Sequence, residues 1–260
     1  MPTTSAPTAS APSPDTRAAE ADGSPAGSPL QTLGLVGGMS WHSTATYYRI
    51  VNEQVAAARG GHSSAKVVLE SLDFAEIREC QIAQDWDRAG GLIAGAAVRC
   101  QDSGADVVAI CTNLMHRVAP QVEQALSVPL VHIGDAVAAA ARREGWSTLG
   151  ILGTDGVMSQ PFYADRLAEH GVAAVVPGPE ARADVDRIIF DELTHGTIRE
   201  ESRERYLRVI DDLAAAGAEA VVLACTEIGL LVGPDVSPLP VIDSAEVHAH
   251  ELAARALGQA

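Results

Sequence analysis

The chain has 260 residues, of which 47% are hydrophobic and 4% are aromatic. This hydrophobic fraction excludes a disordered chain, and the dominance of Ala, Gly, Val and Leu favours layered α/β packing over a β-sandwich core. The 34 acidic residues outnumber the 18 basic ones and give a net charge of −16, which opposes binding to nucleic acid. The apolar stretches are far shorter than the roughly 20 residues that span a bilayer, so no membrane segment is predicted.

Residues 1–29 differ in composition from the rest of the chain. They contain six of the fourteen prolines, with repeated Ala, Ser and Thr and no apolar periodicity, which predicts a disordered tail. The tail lacks the basic start and apolar run of a secretory signal. The four cysteines form neither a C-x-x-C pair nor a Cys/His cluster, so neither a disulfide framework nor a metal site is predicted. We therefore expect a cytoplasmic protein.

From residue 33 onward, short apolar runs alternate with helical patterns. The first run, Leu33 to Ser40, ends in glycines and predicts a strand and a tight turn before a helix over Thr44–Ala58. Further apolar runs occupy Lys66–Leu69, Leu130–Ile133, Val172–Val176 and Leu239–Ile242. Helical patterns cover Ile82–Cys100, Val185–Leu193 and Glu201–Ala216. Continuous apolar strands between helices are typical of parallel sheets that are covered on both faces.

Two phrases of the sequence occur twice. The glycine-ended run returns at Leu149 to Ser159, and the phrase Gly104 to Asn113 returns at Gly217 to Glu227. Each half of the chain carries one copy of each phrase in the same order, so we predict two similar α/β lobes. Ligands of open α/β sheets bind beyond the carboxyl ends of the strands. A cleft between the lobes would then face one cysteine from each.

These two cysteines are Cys111 and Cys225, and each ends a buried-type strand, is followed by a threonine and precedes a predicted helix. Backbone N–H groups at a helix start stabilise a thiolate, so we expect the pKa of both thiols to be lowered toward neutrality. Two thiols on opposite sides of one cleft suit racemisation or epimerisation, because one can remove an α-proton while the other supplies a proton to the opposite face.

These residues also allow other interpretations. A single cysteine at a strand end is explained equally well as a small buried hydrophobe, but equivalent positions in a repeat favour a chemical role. A redox pair is disfavoured by the long separation in sequence. Cys80 and Cys100 lie in helical patterns and are predicted to be structural. Lys66 is the only lysine, which disfavours a pyridoxal enzyme, and no cofactor is predicted. Gly37 and Gly38 complete no nucleotide-binding motif and form either a plain turn or a carboxylate-binding one.

The most specific phrases are Gly37–Trp41, Cys111–Asn113 with Met115 and His116, and Cys225–Leu231. On the basis of these phrases, the chain resembles the aspartate/glutamate racemase family, the cofactor-independent amino-acid racemases, over residues 33–257. The resemblance implies that Cys111 and Cys225 are the proton donor and acceptor pair, and that the substrate-binding residues include Met39, Thr112, Asn113 and Thr226.

The resemblance also implies a fold and an assembly. Family members have two flavodoxin-like lobes with the site between them, and their C-terminal helix returns to the first lobe. Residues 30–130 with 243–260 would then form the first lobe, and residues 131–242 the second. Many members are dimers, so a homodimer that binds a small amino-acid substrate is expected.

One position departs from the acid-specific members of the family. They place a cation after the second strand, where this chain has Arg78 close to Gln81, and a lysine just before the helical pattern that begins at Val185. At the lysine position this chain has Asp184, which would repel an acidic side chain by roughly a few kcal/mol in a partly buried site. Either the substrate carries a neutral or basic side chain, or a neighbouring arginine replaces the lysine: Arg182 or Arg187.

Two further functional classes stay open at this point. One is a lyase or a cis/trans isomerase of a dicarboxylic acid on the same scaffold, as in relatives that use a single cysteine. The other is a catalytically inactive module that binds an amino acid. Retention of both cysteines favours the racemase over both.

Overall fold

The computed structural model describes residues 29–259, so the predicted disordered tail, apart from Pro29, lies outside the described residues. The first half contains β1 (Thr32–Gly37), α1 (Trp41–Arg59), β2 (Lys66–Ser71), α2 (Phe74–Ala83), α3 (Trp86–Asp102), β3 (Val107–Ile110), α4 (Ala119–Ala125), β4 (Leu130–Val131) and α5 (Ile133–Glu144). The second half contains β5 (Thr148–Gly153), α6 (Asp155–Met158), α7 (Pro161–Glu169), β6 (Ala173–Val175), α8 (Pro179–Asp191), α9 (Glu200–Ala215), β7 (Ala220–Ala224), β8 (Val241–Asp243) and α10 (Ser244–Ala256).

Each half builds one four-stranded sheet in which all the neighbouring strands are parallel. The strand orders are β2-β1-β3-β4 and β6-β5-β7-β8, so the repeat in the sequence is a repeat in the fold. In the first sheet, Val108 and Ile110 of β3 pack toward α2 and α3, while Val107 and Ala109 pack toward α1 and α10. Burial on both faces explains the continuous apolar strands. The predicted α/β class with two similar lobes of parallel strands is confirmed.

The repeated phrase of each half has a structural purpose. Gly104 and Gly217 have φ angles of 94° and 99°, a left-handed conformation that glycine adopts without strain. Two residues later, the Asp106 carboxylate accepts a hydrogen bond from the Thr32 backbone N–H at 2.6 Å, and the Glu219 carboxylate accepts one from the Thr148 N–H at 2.9 Å. In both lobes the phrase therefore binds the amino end of the neighbouring central strand.

Some predicted elements were wrong in extent. The helical pattern over Ile82–Cys100 is interrupted, because Gln84 is left-handed with a φ angle of 56° and Asp85 caps α3 by accepting from the Arg88 N–H. A helical segment follows each of the two cysteines, as predicted. After Cys111 the 3-10 helix Leu114–Val118 runs directly into α4, whereas after Cys225 the segment is the short 3-10 helix Thr226–Leu230.

The last helix, α10, follows β8 of the second sheet and packs against α1 of the first. The buried Tyr47 hydroxyl on α1 makes a 2.8 Å hydrogen bond with His248 Nδ1 on α10, and His248 Nε2 donates to the Val131 carbonyl at 2.9 Å. Ala249 and Leu252 join the same hydrophobic cluster. This helix therefore ties the two sheets together, while the exact lobe boundaries at residues 131 and 243 stay a prediction.

Candidate active site

Residues that follow the central strands of both sheets line one cavity of about 280 Å3. This size suits a small metabolite, since it lies close to the lower end of the range for ligand pockets. The first half contributes Gly38 to Ser43, Phe74, Gln81 and Thr112 to Leu114. The second half contributes Thr154, Val157, Ile189, Phe190, Thr194 and Ala224 to Glu227.

Cys225 lines this cavity directly after β7, and its thiol is hydrogen-bonded to a carboxylate. The thiol donates to Glu227 over an Sγ–Oε2 distance of 3.2 Å. The same carboxylate accepts from the Thr226 hydroxyl at 2.8 Å and from the Ser40 hydroxyl at 3.0 Å. Because Ser40 caps α1 in the other lobe, Glu227 connects the two walls of the cavity beside the thiol.

Cys111 occupies the equivalent position directly after β3, but it does not belong to the lining of the cavity. It is 1% exposed and packs with the cluster that α1 and α10 form beneath the first sheet. Its neighbours Thr112 and Asn113 do line the cavity, and its carbonyl accepts a hydrogen bond from the Ser43 hydroxyl at 3.2 Å. The two cysteines therefore lie at pseudo-equivalent strand ends but differ in exposure.

The expectation of lowered thiol pKa values was wrong for this state of the protein. Burial raises the pKa of the Cys225 thiol well above its usual range, and the negative charge of Glu227 and its hydrogen bond raise it further. Burial also raises the pKa of the Cys111 thiol. Desolvation of the charged form outweighs the N–H groups of two short 3-10 helices. Both thiols are therefore protonated at neutral pH in this structure.

Asn113 connects the cavity to the last helix. Its amide nitrogen donates to the Ser244 hydroxyl at 3.0 Å, and Ser244 in turn donates to the Leu223 carbonyl on β7 at 2.8 Å. Two buried oxygens of cavity-lining residues, Asn113 Oδ1 and Thr154 Oγ1, have no hydrogen-bond partner within residues 29–259. Buried polar atoms are normally paired, so these two oxygens are unsatisfied acceptors in the wall of the cavity.

The turn between β1 and α1 forms another wall of the cavity. Gly38 has a φ angle of 86°, and a Cβ atom there would lie 2.1 Å from the backbone oxygen of Leu72. The Thr44 hydroxyl accepts a hydrogen bond from the Gly38 N–H at 2.9 Å. This tight turn presents Met39 and Ser40 to the cavity, so Gly38 is required by space as well as by conformation.

The structure separates two groups of predicted site residues. Met39, Gln81, Thr112, Asn113, Cys225 and Thr226 line the cavity. Arg78 does not: its guanidinium lies over the Phe190 ring, 4.4 Å from the centroid, and donates to Gln81 Oε1 at 3.2 Å. Asp184 does not either, because its carboxylate pairs with Arg205 of α9 at 2.6 Å. Neither residue is in direct contact with the cavity in this structure.

Several lining residues were not identified from the sequence. Phe74 and Phe190 enter the cavity from opposite halves, and Thr154, Val157 and Ile189 complete the second wall. Hydrophobic periodicity makes Phe74, Ile189 and Phe190 look like core, so the sequence held no signal for them. Ser40, Thr154, Val157 and Glu227 had a signal, since each belongs to a phrase of the repeat.

Residues 29–259 show neither a metal site nor a membrane span. No group of three or more His, Cys, Asp or Glu side chains in this range is arranged to hold a metal ion. No helix of that part of the chain is both long and apolar enough to cross a membrane.

Comparison with known proteins relates this site to a family. The family model for Asp/Glu/hydantoin racemases matches residues 36–252, which includes both cysteine phrases and every lining residue of the cavity. The chain belongs to this racemase family. The resemblance seen in the sequence is thereby confirmed, and with it the class of enzyme, an isomerase.

Solved structures of family members share the two-lobed fold. A protein from Yersinia pestis that is described as an Asp/Glu racemase is 44% identical, with a TM-score of 0.84 over 88% of this chain and 100% of that one. An aspartate racemase homologue from Pyrococcus horikoshii is 30% identical, with a TM-score of 0.75 over 87% of this chain and 99% of that one. The broad specificity amino-acid racemase RacX of Bacillus subtilis is 22% identical over 62% of this chain and 69% of its own length.

Proposed function

We propose that this protein racemises a free α-amino acid without a cofactor, with Cys225 and Cys111 as the two bases. The observation that carries the proposal is the pairing of Cys225 with Glu227 in a cavity that both cysteine-bearing strand ends adjoin. One thiolate removes the α-proton, and the groups that bind the substrate α-carboxylate stabilise the resulting carbanion. The opposite thiol then delivers its proton to the other face of the α-carbon. Because one proton is removed and one is delivered, the substrate changes only in its configuration.

Glu227 prepares Cys225 for this task. A thiol with a raised pKa is a poor base until it loses its proton, and the carboxylate that accepts the Sγ–H hydrogen bond is the group positioned to take that proton. When Cys225 acts as the acid, the same pair runs in reverse. The donors Ser40 and Thr226 hold the carboxylate in place for both directions.

Cys111 needs a side-chain rotation to take part. Its thiol packs against the cluster of α1 and α10, while the residues after it line the cavity. Rotation about its Cα–Cβ bond turns the thiol toward the substrate, and we expect substrate binding to favour that rotamer. The proposal therefore requires Cys111 to be protected in the free enzyme and used during turnover.

The substrate backbone has matching groups in the cavity. The unpartnered oxygens of Asn113 and Thr154 suit the α-ammonium group, which has three donors. Two donors directly after the central strands, the Thr112 hydroxyl and the Thr226 backbone N–H, suit the α-carboxylate. These groups orient the α-carbon between the two cysteine-bearing strands.

The test is proton exchange in D2O, followed by 1H NMR and chiral analysis, with Cys111→Ser and Cys225→Ser. Each variant should lose net racemisation by about 10²- to 10⁴-fold, the usual contribution of a positioned acid or base, while one enantiomer retains exchange from the single remaining face. Cys80→Ala is the matched control, since Cys80 is a buried helical cysteine outside the cavity lining. Full racemisation by either serine variant would exclude the two-base mechanism.

A further inference from the structure

We infer that the side chain of the substrate is apolar, in contrast to the carboxylate side chains of aspartate and glutamate. This inference rests on the proposed racemase function and assigns its substrate class. The observation behind it is the composition of the cavity wall: within residues 29–259, no lysine or arginine side chain lines it. The one histidine of the lining within residues 29–259, His42, is exposed and stacks on Trp41 with ring centroids 3.6 Å apart. A dicarboxylic amino acid would therefore bring a second carboxylate with no lysine or arginine of the lining to pair with, and burial of an unpaired charge is costly.

Each arginine that the sequence offered as a source of positive charge for the cavity already contacts another side chain. Arg78 is stacked on the Phe190 ring and donates to Gln81, so its guanidinium is already bound to two residues of the cavity wall. Arg182 pairs with Asp155 at 3.4 Å, and Arg187 pairs with Glu192 at 3.4 Å. The only lysine of the sequence, Lys66, begins β2 and therefore lies at the opposite end of the sheet from the cavity.

A basic side chain is disfavoured for a different reason. Among the described residues, the one acidic side chain of the lining is Glu227, and its carboxylate already accepts hydrogen bonds from Ser40, Thr226 and Cys225. A substrate ammonium or guanidinium at this carboxylate would compete with the thiol. Its charge would also stabilise the carboxylate in the ionised form and weaken it as an acceptor of the thiol proton.

Apolar side chains from both halves line the wall beyond the strand ends: Phe74 and Leu114 from the first half, and Val157, Ile189 and Phe190 from the second. The polar side chains there include Gln81, which accepts from Arg78, and Thr194, which donates to the Phe190 carbonyl. A side chain that extends from the α-carbon toward the aromatic residues would therefore contact hydrocarbon, and its burial is favourable.

The experiment is a panel of free amino acids assayed for α-proton exchange in D2O, with thermal-shift binding measured in parallel. We expect kcat/KM for leucine, methionine or phenylalanine to exceed that for aspartate, glutamate, lysine and arginine by tenfold or more, with the larger rise in Tm for the apolar group. Fastest exchange of an acidic or basic amino acid would overturn the side-chain assignment while leaving the racemase in place. Selective binding of apolar amino acids without exchange would support the side-chain assignment and overturn the racemase, and neither exchange nor binding would overturn both.

Two variants that each add a positive charge test whether the lack of a lysine or arginine in the lining causes the preference for an apolar side chain. Thr194 is exposed and lines the cavity, so Thr194→Arg supplies the missing cation and should raise the ratio of glutamate to leucine kcat/KM by tenfold or more. His195→Arg adds the same charge one position along, at an exposed residue outside the lining, and should leave that ratio unchanged. An equal response of the two variants would attribute selectivity to the overall charge, and would contradict the inference.

Discussion

The most informative single residue of the site is Glu227, because its carboxylate accepts three hydrogen bonds that come from both lobes. It bonds the hydroxyl of Ser40 in the first half and the Thr226 hydroxyl and Cys225 thiol in the second. The carboxylate thus adds to the effect of burial in raising the pKa of the Cys225 thiol, and it also connects the two walls of the cavity. Cys225 is half-buried, whereas Cys80, Cys100 and Cys111 are buried, so reagents in solution can report on it selectively.

Glu227→Gln separates the effect of the Glu227 carboxylate on the pKa of Cys225 from its role as acceptor of the thiol proton. Burial is the largest cause of the raised pKa of Cys225, and the variant removes the part due to the charge of Glu227, so that pKa should fall. The midpoint of iodoacetamide alkylation should therefore move to lower pH. Racemisation should nevertheless drop by about 10²- to 10⁴-fold, because a carboxamide cannot take the thiol proton. Glu227→Asp, which keeps the charge, should recover part of the activity, and an unmoved alkylation midpoint in Glu227→Gln would contradict the role assigned to the carboxylate.

At the scale of elements, the β1–α1 turn and helix α10 hold the cavity in shape. The turn is tight because Gly38 lies against the backbone of Leu72. Helix α10 starts at β8 of the second sheet and reaches the first, where its Ser244 binds Asn113 and its His248 binds Tyr47. Neither element carries a predicted base, yet both position groups that line the cavity.

The turn can be tested with two glycines that share a positive φ angle. Gly38→Ala places a Cβ 2.1 Å from a backbone oxygen, whereas a Cβ added at Gly145, which has a φ angle of 79° after α5, meets no described atom within 4 Å. Gly145→Ala should cost about 1 kcal/mol of unfolding free energy, the usual penalty for this conformation, and Gly38→Ala should cost clearly more. Urea denaturation measures both, and equal losses would show that the close approach to Leu72 is unimportant.

The contact of α10 with the cavity is tested by Ser244→Ala. The variant leaves the Asn113 amide and the Leu223 carbonyl without their buried partner, which should cost about 1–3 kcal/mol of unfolding free energy. KM should rise as well, because Asn113 loses the hydrogen bond that fixes its side chain in the wall of the cavity. Ser244→Thr keeps the hydroxyl and should restore KM even if its extra methyl group lowers stability. A normal KM in Ser244→Ala would remove this positioning role.

At the scale of the whole molecule, three buried histidines lie where the two sheets meet. Burial lowers the pKa of His248 and, together with the charge of Arg166, that of His132 to about 4, and burial lowers the pKa of His116 well below its usual value. Their rings pack against one another, with centroids of His116 and His132 4.4 Å apart. The folded protein therefore holds them neutral, whereas the unfolded chain protonates them below about pH 6.5.

This difference in histidine protonation between the folded and the unfolded chain predicts that the folded protein loses stability in acid. Between about pH 6.5 and pH 4 the unfolded chain binds more protons than the folded one, so stability falls as pH falls, by up to about 1.4 kcal/mol per pH unit for each histidine. His132→Asn should remove one proton from that dependence, since asparagine can also cap α5 by accepting from the Gly134 N–H. Urea titrations at about pH 7.5, 6 and 5 span this window and measure the slope, with exposed His62→Asn as the control for the substitution. A slope that is the same in wild type and His132→Asn would contradict this account.

The sequence by itself determined the architecture and pointed to the strand ends that adjoin the cavity. The duplicated phrases predicted two similar parallel-sheet lobes, because the same local pattern of strand, turn and helix folds the same way twice. They also placed Cys111 and Cys225 at equivalent strand ends. Resemblance to known racemases added Met39, Thr112, Asn113 and Thr226 as substrate-binding residues, and all four line the cavity.

Only the tertiary structure decided what surrounds those residues. Whether a charged side chain meets the substrate depends on which partner it finds across the fold: Asp184 finds Arg205, and Arg78 finds Phe190 and Gln81. The pKa of the Cys225 thiol likewise depends on burial and on the carboxylate of Glu227, and sequence patterns report neither. Local patterns specify strands and turns because these rest on short-range backbone geometry. Desolvation and ion pairing depend instead on which side chains the fold packs around each group, so they appear only once the tertiary structure has formed.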